Sequence, residues 1–384
     1  MKKITGLILT VVLMLSVISV NAYAKELPDM KVEINAKSAV LMEASTGEIL
    51  MSKNAHEKVY PASVTKIMSL LLVTEAIDQG KIALTDTVTA SAEASKMGGS
   101  QIWLKQGEQM TVDDLLKATA IASANDACFA LGEYVAGSDT AFVKMMNDRA
   151  KELGMNDTVF ENCSGLDDTV QNHITSAYDV AVMSRELLKH ERIRNYTTVW
   201  MDTLRGGETQ LVNTNKLIRF YKGATGLKTG TTSKAGCCVS ATAERDGLSL
   251  IAVVMGSESS NDRFSGARAM LDWGFANYSL AELSVDPALI TDVNIIGGEQ
   301  DKISPQIAEK KFAVIEKGKE DKITLVPDLA IDVEAPIEKN QVLGTVSFML
   351  EDKEIGKINL CSPEAVKKLT FPDYLVRFLI SLCR

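Results

Sequence analysis

The sequence has few histidines and fewer basic than acidic residues, and each shortage excludes a class of protein. Its 384 residues include three histidines, His56, His173 and His190, and carry a formal net charge of -9. Nucleic-acid binders need basic surface to displace counterions, so nucleic acid is not expected as a partner. No histidine has a Cys, Asp or His neighbour at ligand spacing, and no Gly-x-Ser-x-Gly elbow occurs. Neither a metal site nor a Ser-His-Asp triad is therefore predicted, and no cofactor is expected.

The six cysteines lack the spacing of a zinc site. They are scattered, include the neighbours Cys237 and Cys238, and form no Cys-x-x-Cys pair. A disulfide between Cys128 and Cys163 is compatible with an exported protein. A chain of this size does not need one, and buried thiols are favoured.

The N-terminal segment predicts export. "MKKITGLILTVVLMLSVISVNAYA" has two lysines, an apolar stretch and an Ala-Tyr-Ala end, the layout of a secretory signal over residues 1–24. The mature chain is then expected to start at Lys25. The alternative is an uncleaved membrane anchor. A lipid-modified start is not expected, because no cysteine stands at the junction.

Hydrophobic periodicity predicts a sheet interrupted by helices. Alternation over residues 39–51 indicates a β-hairpin, and the segment 236–257, with a turn at Asp246-Gly247, indicates two further strands. Between them, helical spacing and capping patterns predict four helices, which are expected over residues 63–79, 111–122, 138–154 and 176–190. The economical arrangement places the early hairpin and the late strands in one antiparallel sheet. The helical insertion then forms a second lobe, with a cleft between the two.

The pattern of apolar and charged residues changes after about Leu283. Short apolar runs alternate with turns and charged residues, which predicts a small all-β domain over residues 284–361, a spacer or docking module. The last segment, 362–384, carries apolar residues at helical spacing from Tyr374 to Leu382, with Pro372 suited to a first helical turn. Such a helix could lie in a membrane interface or pack on the β domain.

Three short motifs stand in order along the chain. Ser63 and Lys66 lie three residues apart, so they share one face of the predicted helix. "SAN" (Ser123 to Asn125) follows the second predicted helix, and "KTG" (Lys228 to Gly230) opens the late strands. Each motif alone is a weak signal. Ser-x-x-Lys and Lys-Thr-Gly each occur once and in this order, and this conjunction indicates a serine acyl-transfer site.

With these motifs the sequence resembles the low-molecular-mass penicillin-binding proteins, the serine-type D-alanyl-D-alanine carboxypeptidases. The resemblance extends to "GGSQIWLKQGEQMTVDDLL", "NTNKLI", "DRFSGARAMLDWGF" and "EAPIEKNQVLG" and covers nearly the whole mature chain. It implies that residues 25–283 form the peptidase domain. It implies an α/β (α+β) β-lactamase-like transpeptidase fold. The chain departs from the family's wording at Ala124, where glycine is common, and at Cys163 and Ser164.

Chemistry and resemblance together assign roles to the motif residues. Ser63 is expected to attack the carbonyl between two D-alanines, with neutral Lys66 as its base. Burial and nearby Lys228 are expected to lower the pKa of Lys66. The N–H groups of Ser63 and Thr231 would hold the oxyanion. The resemblance further implies that Ser123 relays the proton to the leaving amine, with Lys228 holding the network, and that the Asn125 amide binds the substrate's peptide group. Thr229 is expected to meet the terminal carboxylate, which Lys228 can also meet, and Gly230 is a further substrate-binding residue. Arg263 is either a second carboxylate contact or a solvated surface arginine.

The expected function is removal of the terminal D-alanine from peptidoglycan stem pentapeptides, with β-lactams as inhibitors. A D,D-endopeptidase and a non-catalytic wall-binding protein remain alternatives. A β-lactamase is a further alternative, but it needs a glutamate that directs water, and the sequence around Glu208 does not match that motif. The resemblance also implies a protein held at the outer face of the cytoplasmic membrane by its C-terminal tail.

Overall fold

The computed structural model describes residues 27–168 and 170–382, so the predicted signal 1–24 and Lys25 lie outside the described residues. The helices are α1 (Lys66–Asp78), α2 (Val112–Ile121), α3 (Asn125–Ala136), α4 (Asp139–Glu152), α5 (Ala177–Leu188), α6 (Arg194–Thr197), α7 (Leu217–Phe220), α8 (Ser260–Asn277) and α9 (Phe371–Leu382). The strands are β1 (Ser38–Glu43), β2 (Ile49–Lys53), β3 (Thr87–Thr89), β4 (Gln109–Thr111), β5 (Met201–Leu204), β6 (Thr209–Val212), β7 (Ala224–Thr232), β8 (Gly236–Arg245), β9 (Leu248–Ser257), β10 (Tyr278–Leu283), β11 (Val293–Ile296), β12 (Lys302–Ile303), β13 (Gln306–Ile307), β14 (Lys311–Glu316), β15 (Ile323–Leu329), β16 (Asp332–Glu334), β17 (Val342–Leu350) and β18 (Lys353–Cys361).

A five-stranded antiparallel sheet carries the site, in the order β2-β1-β9-β8-β7. The predicted pairing of the early hairpin with the late strands is therefore confirmed. The β8–β9 turn has positive φ at both Asp246 and Gly247, the geometry of the type I′ turn that matches strand twist. β7 forms one edge of this sheet, so one row of its backbone groups faces away from β8.

The helical lobe between β2 and β7 follows the predicted capping signals. The Thr111 hydroxyl accepts a hydrogen bond from the Asp114 N–H, and Ser176 accepts one from Asp179. Each satisfies a backbone donor that the first helical turn leaves free. The first predicted helix begins differently, since residues 62–65 form a tighter 3-10 turn and the α-helix starts at Lys66. Most of α1 is buried at the centre of the main hydrophobic core.

Four helices were not predicted, the short α6 and α7 and the longer α3 and α8. A left-handed Gly137 (φ 82°) ends α3, and the Ser259 hydroxyl accepts a hydrogen bond from the Asp262 N–H to begin α8. Both signals are present in the sequence. α8 packs on the face of the sheet opposite α5 and buries Phe264, Met270 and Leu271 in a second core.

The C-terminal region is built from short β-strands, as predicted. β10 pairs with β14, and the remaining strands form sheets ordered β12-β11-β16 and β13-β18-β17-β15 around two small apolar cores. Beyond them α9 has Pro372 in its first turn. Of the helices in the described ranges, none is both long and apolar enough to span a bilayer.

Candidate active site

The turn that carries Ser63 is held by close backbone packing from two sides. Ala62 has a left-handed φ of 48°, a conformation that L residues rarely adopt and that tends to occur at functional sites. On one side, a Cβ on Gly165 would lie 1.8 Å from the Ala62 carbonyl oxygen. On the other, a Cβ on Gly230 of β7 would lie 2.8 Å from the Ser63 nitrogen. Only glycine permits these approaches, so "KTG" is brought directly against the Ser63 backbone.

Lys66 is fully buried and hydrogen-bonds with three oxygen atoms. Its Nζ lies 3.0 Å from Ser63 Oγ, 2.5 Å from Asn125 Oδ1 and 2.8 Å from the Ser164 carbonyl oxygen. The one-turn spacing read from the sequence thus produces the expected contact. The Asn125 and Ser164 oxygens can only accept, so they orient two N–H bonds of the amine. A neutral amine would then present its lone pair to the Ser63 hydroxyl.

Burial sets the protonation of both cleft lysines. Burial lowers the pKa of Lys66 from 10.5 to about 8, while Cys128, Cys163 and Asp126 act in the opposite direction. Burial, followed by the charge of Lys66, lowers the pKa of Lys228 well below its ordinary value. The expected direction at Lys66 agrees with this result, but the expected cause is only half right. The charge of Lys228 is not among the causes of the Lys66 shift, whereas the charge of Lys66 helps to lower the pKa of Lys228.

The "SAN" segment lies in the break between α2 and α3. Ser123 has a left-handed φ of 63°, whereas Ala124 is extended at φ -60°, so glycine is not required there. The Asn125 amide donates to the Gly98 carbonyl oxygen at 2.6 Å. Within the described ranges the Ser123 hydroxyl has no hydrogen-bond partner. Asn125 therefore joins the Ser63–Lys66 network directly, and Ser123 does not.

β7 brings the remaining motif residues to the other wall of the cleft. Lys228 is buried, and its Nζ donates to the Thr229 carbonyl oxygen at 3.0 Å. The Thr229 hydroxyl donates to Thr214 Oγ1 at 2.8 Å. Arg263 is buried rather than solvated, and its Nη1 donates to the Gly230 carbonyl oxygen (2.9 Å) and to Thr231 Oγ1 (2.8 Å). The surface-arginine alternative is therefore wrong.

Sequence reasoning missed the contribution of the loop 162–166. The Asn162 side chain organises it by accepting from the Gly165 N–H at 2.7 Å and donating to the Leu166 carbonyl at 2.7 Å. The Ser69 hydroxyl donates to the Cys163 carbonyl oxygen at 2.6 Å. These contacts fix the Ser164 carbonyl that Lys66 meets. Any residue type can supply a backbone carbonyl, so this contact could not be predicted from the sequence. The departures from the family's sequence pattern at Cys163 and Ser164 do lie in this loop.

The histidines and cysteines lie outside this network. His56 and His190 pair with Asp157 and Asp78 on the surface, and His173 contacts Thr65 Oγ1 at 2.8 Å beneath the Ser63 turn. The five cysteines in the described part of the chain are buried free thiols. No carboxylate among the described residues hydrogen-bonds to Ser63 or Lys66, and Glu208 lies on a separate groove beside Trp103.

A serine hydroxyl beside a buried lysine, between an antiparallel sheet and a helical lobe, defines a serine acyl-transfer enzyme of the penicillin-binding-protein and β-lactamase fold. The sequence profile described as D-alanyl-D-alanine carboxypeptidase matches residues 22–259. That of the penicillin-binding protein 5 C-terminal domain matches residues 281–368.

Individual relatives agree with these profiles. The chain is 40% identical over 384 residues to the D-alanyl-D-alanine carboxypeptidase DacF of Bacillus subtilis, covering 98% of each. Penicillin-binding protein 5 of Haemophilus influenzae superposes with a TM-score of 0.79 at 30% identity, covering 88% of this chain and 99% of that one. Penicillin-binding protein D2 of Listeria monocytogenes, in an ampicillin-bound form, superposes at 0.59 with 31% identity, covering 64% and 100%. The chain belongs to the D-alanyl-D-alanine carboxypeptidase family, and it is a serine-type peptidase.

Proposed function

We propose that Ser63 is the nucleophile that removes the terminal D-alanine from peptidoglycan stem pentapeptides, with Lys66 as its base. The observation that carries this proposal is the 3.0 Å contact between Lys66 Nζ and Ser63 Oγ, made by a fully buried amine whose pKa is lowered to about 8. An amine with such a pKa is partly neutral near pH 7, as a base requires.

The acyl transfer then follows from the surrounding groups. Lys66 takes the hydroxyl proton as Ser63 Oγ attacks the carbonyl between the two D-alanines, and the oxyanion that forms meets the N–H groups of Ser63 and Thr231. Ser123 relays the proton that Lys66 took from Ser63 to the leaving amine, the amide bond breaks and D-alanine departs. Water then cleaves the acyl-enzyme ester and regenerates Ser63.

The substrate is oriented by the two walls of the cleft. The Asn125 amide binds the peptide group on the N-terminal side of the scissile bond. Lys228, Thr229 and Gly230 hold the terminal carboxylate, and the exposed edge of β7 offers backbone groups to an extended peptide. Arg263 supports this wall through the Gly230 carbonyl and the Thr231 hydroxyl. A β-lactam would enter the same cleft, and the Listeria neighbour is a penicillin-binding protein in an ampicillin-bound form.

Product analysis tests the reaction. The mature chain is incubated with a D-Ala-D-Ala-ended pentapeptide and, separately, with a crosslinked peptide dimer, and the products are weighed by mass spectrometry. Release of D-alanine from the pentapeptide is expected. Cleavage of the dimer alone would instead identify an endopeptidase.

Intact mass with penicillin tests the nucleophile. One adduct is expected on the wild type and none on Ser63→Ala. An adduct that maps to Ser123, or equal labelling of Ser63→Ala, would overturn the assignment. Rapid loss of the adduct with steady penicillin turnover would indicate a β-lactamase.

We also propose that the chain is exported through its N-terminal signal and held at the outer face of the cytoplasmic membrane by α9. Tyr374, Leu375, Phe378 and Leu379 are each about half exposed on this helix. Twelve residues rise about 18 Å, too short for a hydrocarbon core of about 30 Å, so the helix would lie in the interface. The proposed division is 1–24, 25–283, 284–361 and 362–384.

Liposome flotation tests the anchor. The full mature chain should float with anionic vesicles, and a version ending at Ser362 should stay soluble with unchanged peptidase activity. Equal flotation of the two versions would reject the anchor.

A further inference from the structure

Trp103 is held outward by a rigid support beside the active site. Its side chain is 75% exposed, between the buried side chains of Ile102 and Leu104. The N–H groups of Ile102 and Leu104 both donate to the buried carboxylate of Asp126, at 3.2 and 3.0 Å. Trp103 itself has a left-handed φ of 61°, which directs its indole away from the core. Such costly exposure on a fixed backbone is typical of a binding surface.

A groove of about 820 Å³ lies against this indole, between the loop 102–108 and the tip of the β5–β6 hairpin. Arg205 joins the two walls, since its Nη1 donates to the Ile102 carbonyl at 2.9 Å and its Nε pairs with Glu108 at 2.7 Å. The charged side chains that line the groove are two basic and two acidic ones, Lys105, Arg205, Glu108 and Glu208. Together they carry no net charge. The amides of Gln106 and Gln210 have no hydrogen-bond partner among the described residues.

A short segment of chain links this groove to the cleft. The Ser100 carbonyl oxygen accepts a hydrogen bond from the Asn125 N–H at 2.7 Å, and Trp103 is the third residue after Ser100. Three residues span at most about 10 Å of extended chain. A stem peptide whose scissile bond lies at Ser63 and whose next peptide group meets Asn125 would therefore have that peptide group close to this groove. Three or four further residues cover roughly 10–14 Å, which brings the sugar end of the substrate within reach.

We propose that the Trp103 groove binds the glycan of peptidoglycan, the N-acetylated amino sugars to which the stem peptide is attached. This inference rests on the proposed function for its direction of approach. The apolar face of a sugar ring packs on an indole, and free amides can bond to hydroxyl and N-acetyl groups. The absence of net charge on the lining fits a neutral saccharide better than an acidic stem peptide.

Two substrates separate glycan binding from peptide hydrolysis. The mature chain is assayed for D-alanine release from a free pentapeptide and from the same pentapeptide on a disaccharide of N-acetylglucosamine and N-acetylmuramic acid. The readout is kcat/KM for the disaccharide-linked pentapeptide divided by kcat/KM for the free pentapeptide. Trp103→Ala should lower this ratio about 5–10-fold, mainly through KM, and Trp103→Phe should restore most of it. Phe220→Ala, which removes another exposed aromatic outside the groove, should leave the ratio unchanged.

A direct titration gives an independent readout. A tetramer of N-acetylglucosamine should quench indole fluorescence of the wild type and not of Trp103→Ala. An unchanged substrate ratio in Trp103→Ala, or equal losses on both substrates, would overturn the proposal. If the wild type releases D-alanine from neither substrate, the proposed function fails, and the tetramer titration still decides whether the groove binds glycan.

Discussion

Two lysines are fully buried in the same cleft, yet their surroundings differ. Lys66 meets three oxygen atoms, those of Ser63, Asn125 and Ser164, whereas Lys228 meets, among the described residues, only the Thr229 carbonyl. Buried amines normally have their donors satisfied. Lys66 is therefore organised before substrate arrives, while Lys228 keeps donors free for a ligand. The difference fits the roles proposed for the two lysines, proton transfer for Lys66 and carboxylate recognition for Lys228.

The lowered pKa values of Lys66 and Lys228 fit these two roles. In the free protein, burial and then the charge of Lys66 lower the pKa of Lys228. A substrate carboxylate would favour the charged form of Lys228. A charged Lys228 would then repel the proton on Lys66, so substrate binding itself would help to free the base.

Removal of Lys66 should have the largest effect. Lys66→Ala leaves the Ser63 hydroxyl without a base, and acylation by penicillin should fall about 10²–10⁴-fold with a much smaller change in binding. Stopped-flow measurement with a fluorescent penicillin separates the two. Lys144→Ala, at an exposed lysine that pairs with Asp148, is the matched control. Equal acylation by Lys66→Ala would remove Lys66 as the base.

Removal of Lys228 should act through the substrate's carboxylate. Lys228→Met keeps the bulk of the side chain, and kcat/KM for a D-Ala-D-Ala peptide should fall about 10–100-fold, since a hydrogen-bonded charge contact is lost. The same peptide with a C-terminal amide cannot make this contact, so it should be nearly insensitive to the change. Equal losses on the acid and the amide would show that Lys228 acts elsewhere.

The pH dependence of acylation tests the base from another direction. Below pH 8 the Lys66 amine is mostly protonated, and each unit of rising pH increases the neutral fraction about tenfold. The acylation rate constant should therefore rise between pH 6 and 8 and level off above the pKa of about 8. A rate that continues to rise toward pH 10 would indicate a lysine with an ordinary pKa.

Much of this site was predictable because its signals are local. The three-residue spacing of Ser63 and Lys66 fixes their contact once a helical turn forms, and the Asp246-Gly247 turn fixes the pairing of β8 with β9. The Ser164 carbonyl was not predictable, since it depends on how a distant loop packs. The α3 and α8 helices were missed although both carry end signals.

The smallest expected effect concerns stability beneath the Ser63 turn. His173 Nδ1 accepts from the Glu161 N–H at 2.9 Å, so its Nε2–H donates to Thr65 Oγ1 at 2.8 Å. Burial lowers the pKa of His173 from 6.5 to about 4. Protonation would turn Nδ1 into a donor facing another donor. The neutral ring's contribution to stability is thus complete above pH 6.5 and declines as the pH falls toward 4, because the unfolded chain binds the proton first.

Urea unfolding between pH 7 and pH 4 measures this contribution. The wild type should lose about 2–3 kcal/mol more than His173→Gln over this range, an upper value set by the size of the pKa shift. His56→Gln, at an exposed histidine that pairs with Asp157, is the control for the loss of a histidine side chain. His173→Gln keeps every titrating group of the wild type except His173. The difference between the wild type and His173→Gln therefore isolates the contribution of His173. Parallel curves for wild type and His173→Gln would show that the ring under the nucleophile titrates without cost to the fold.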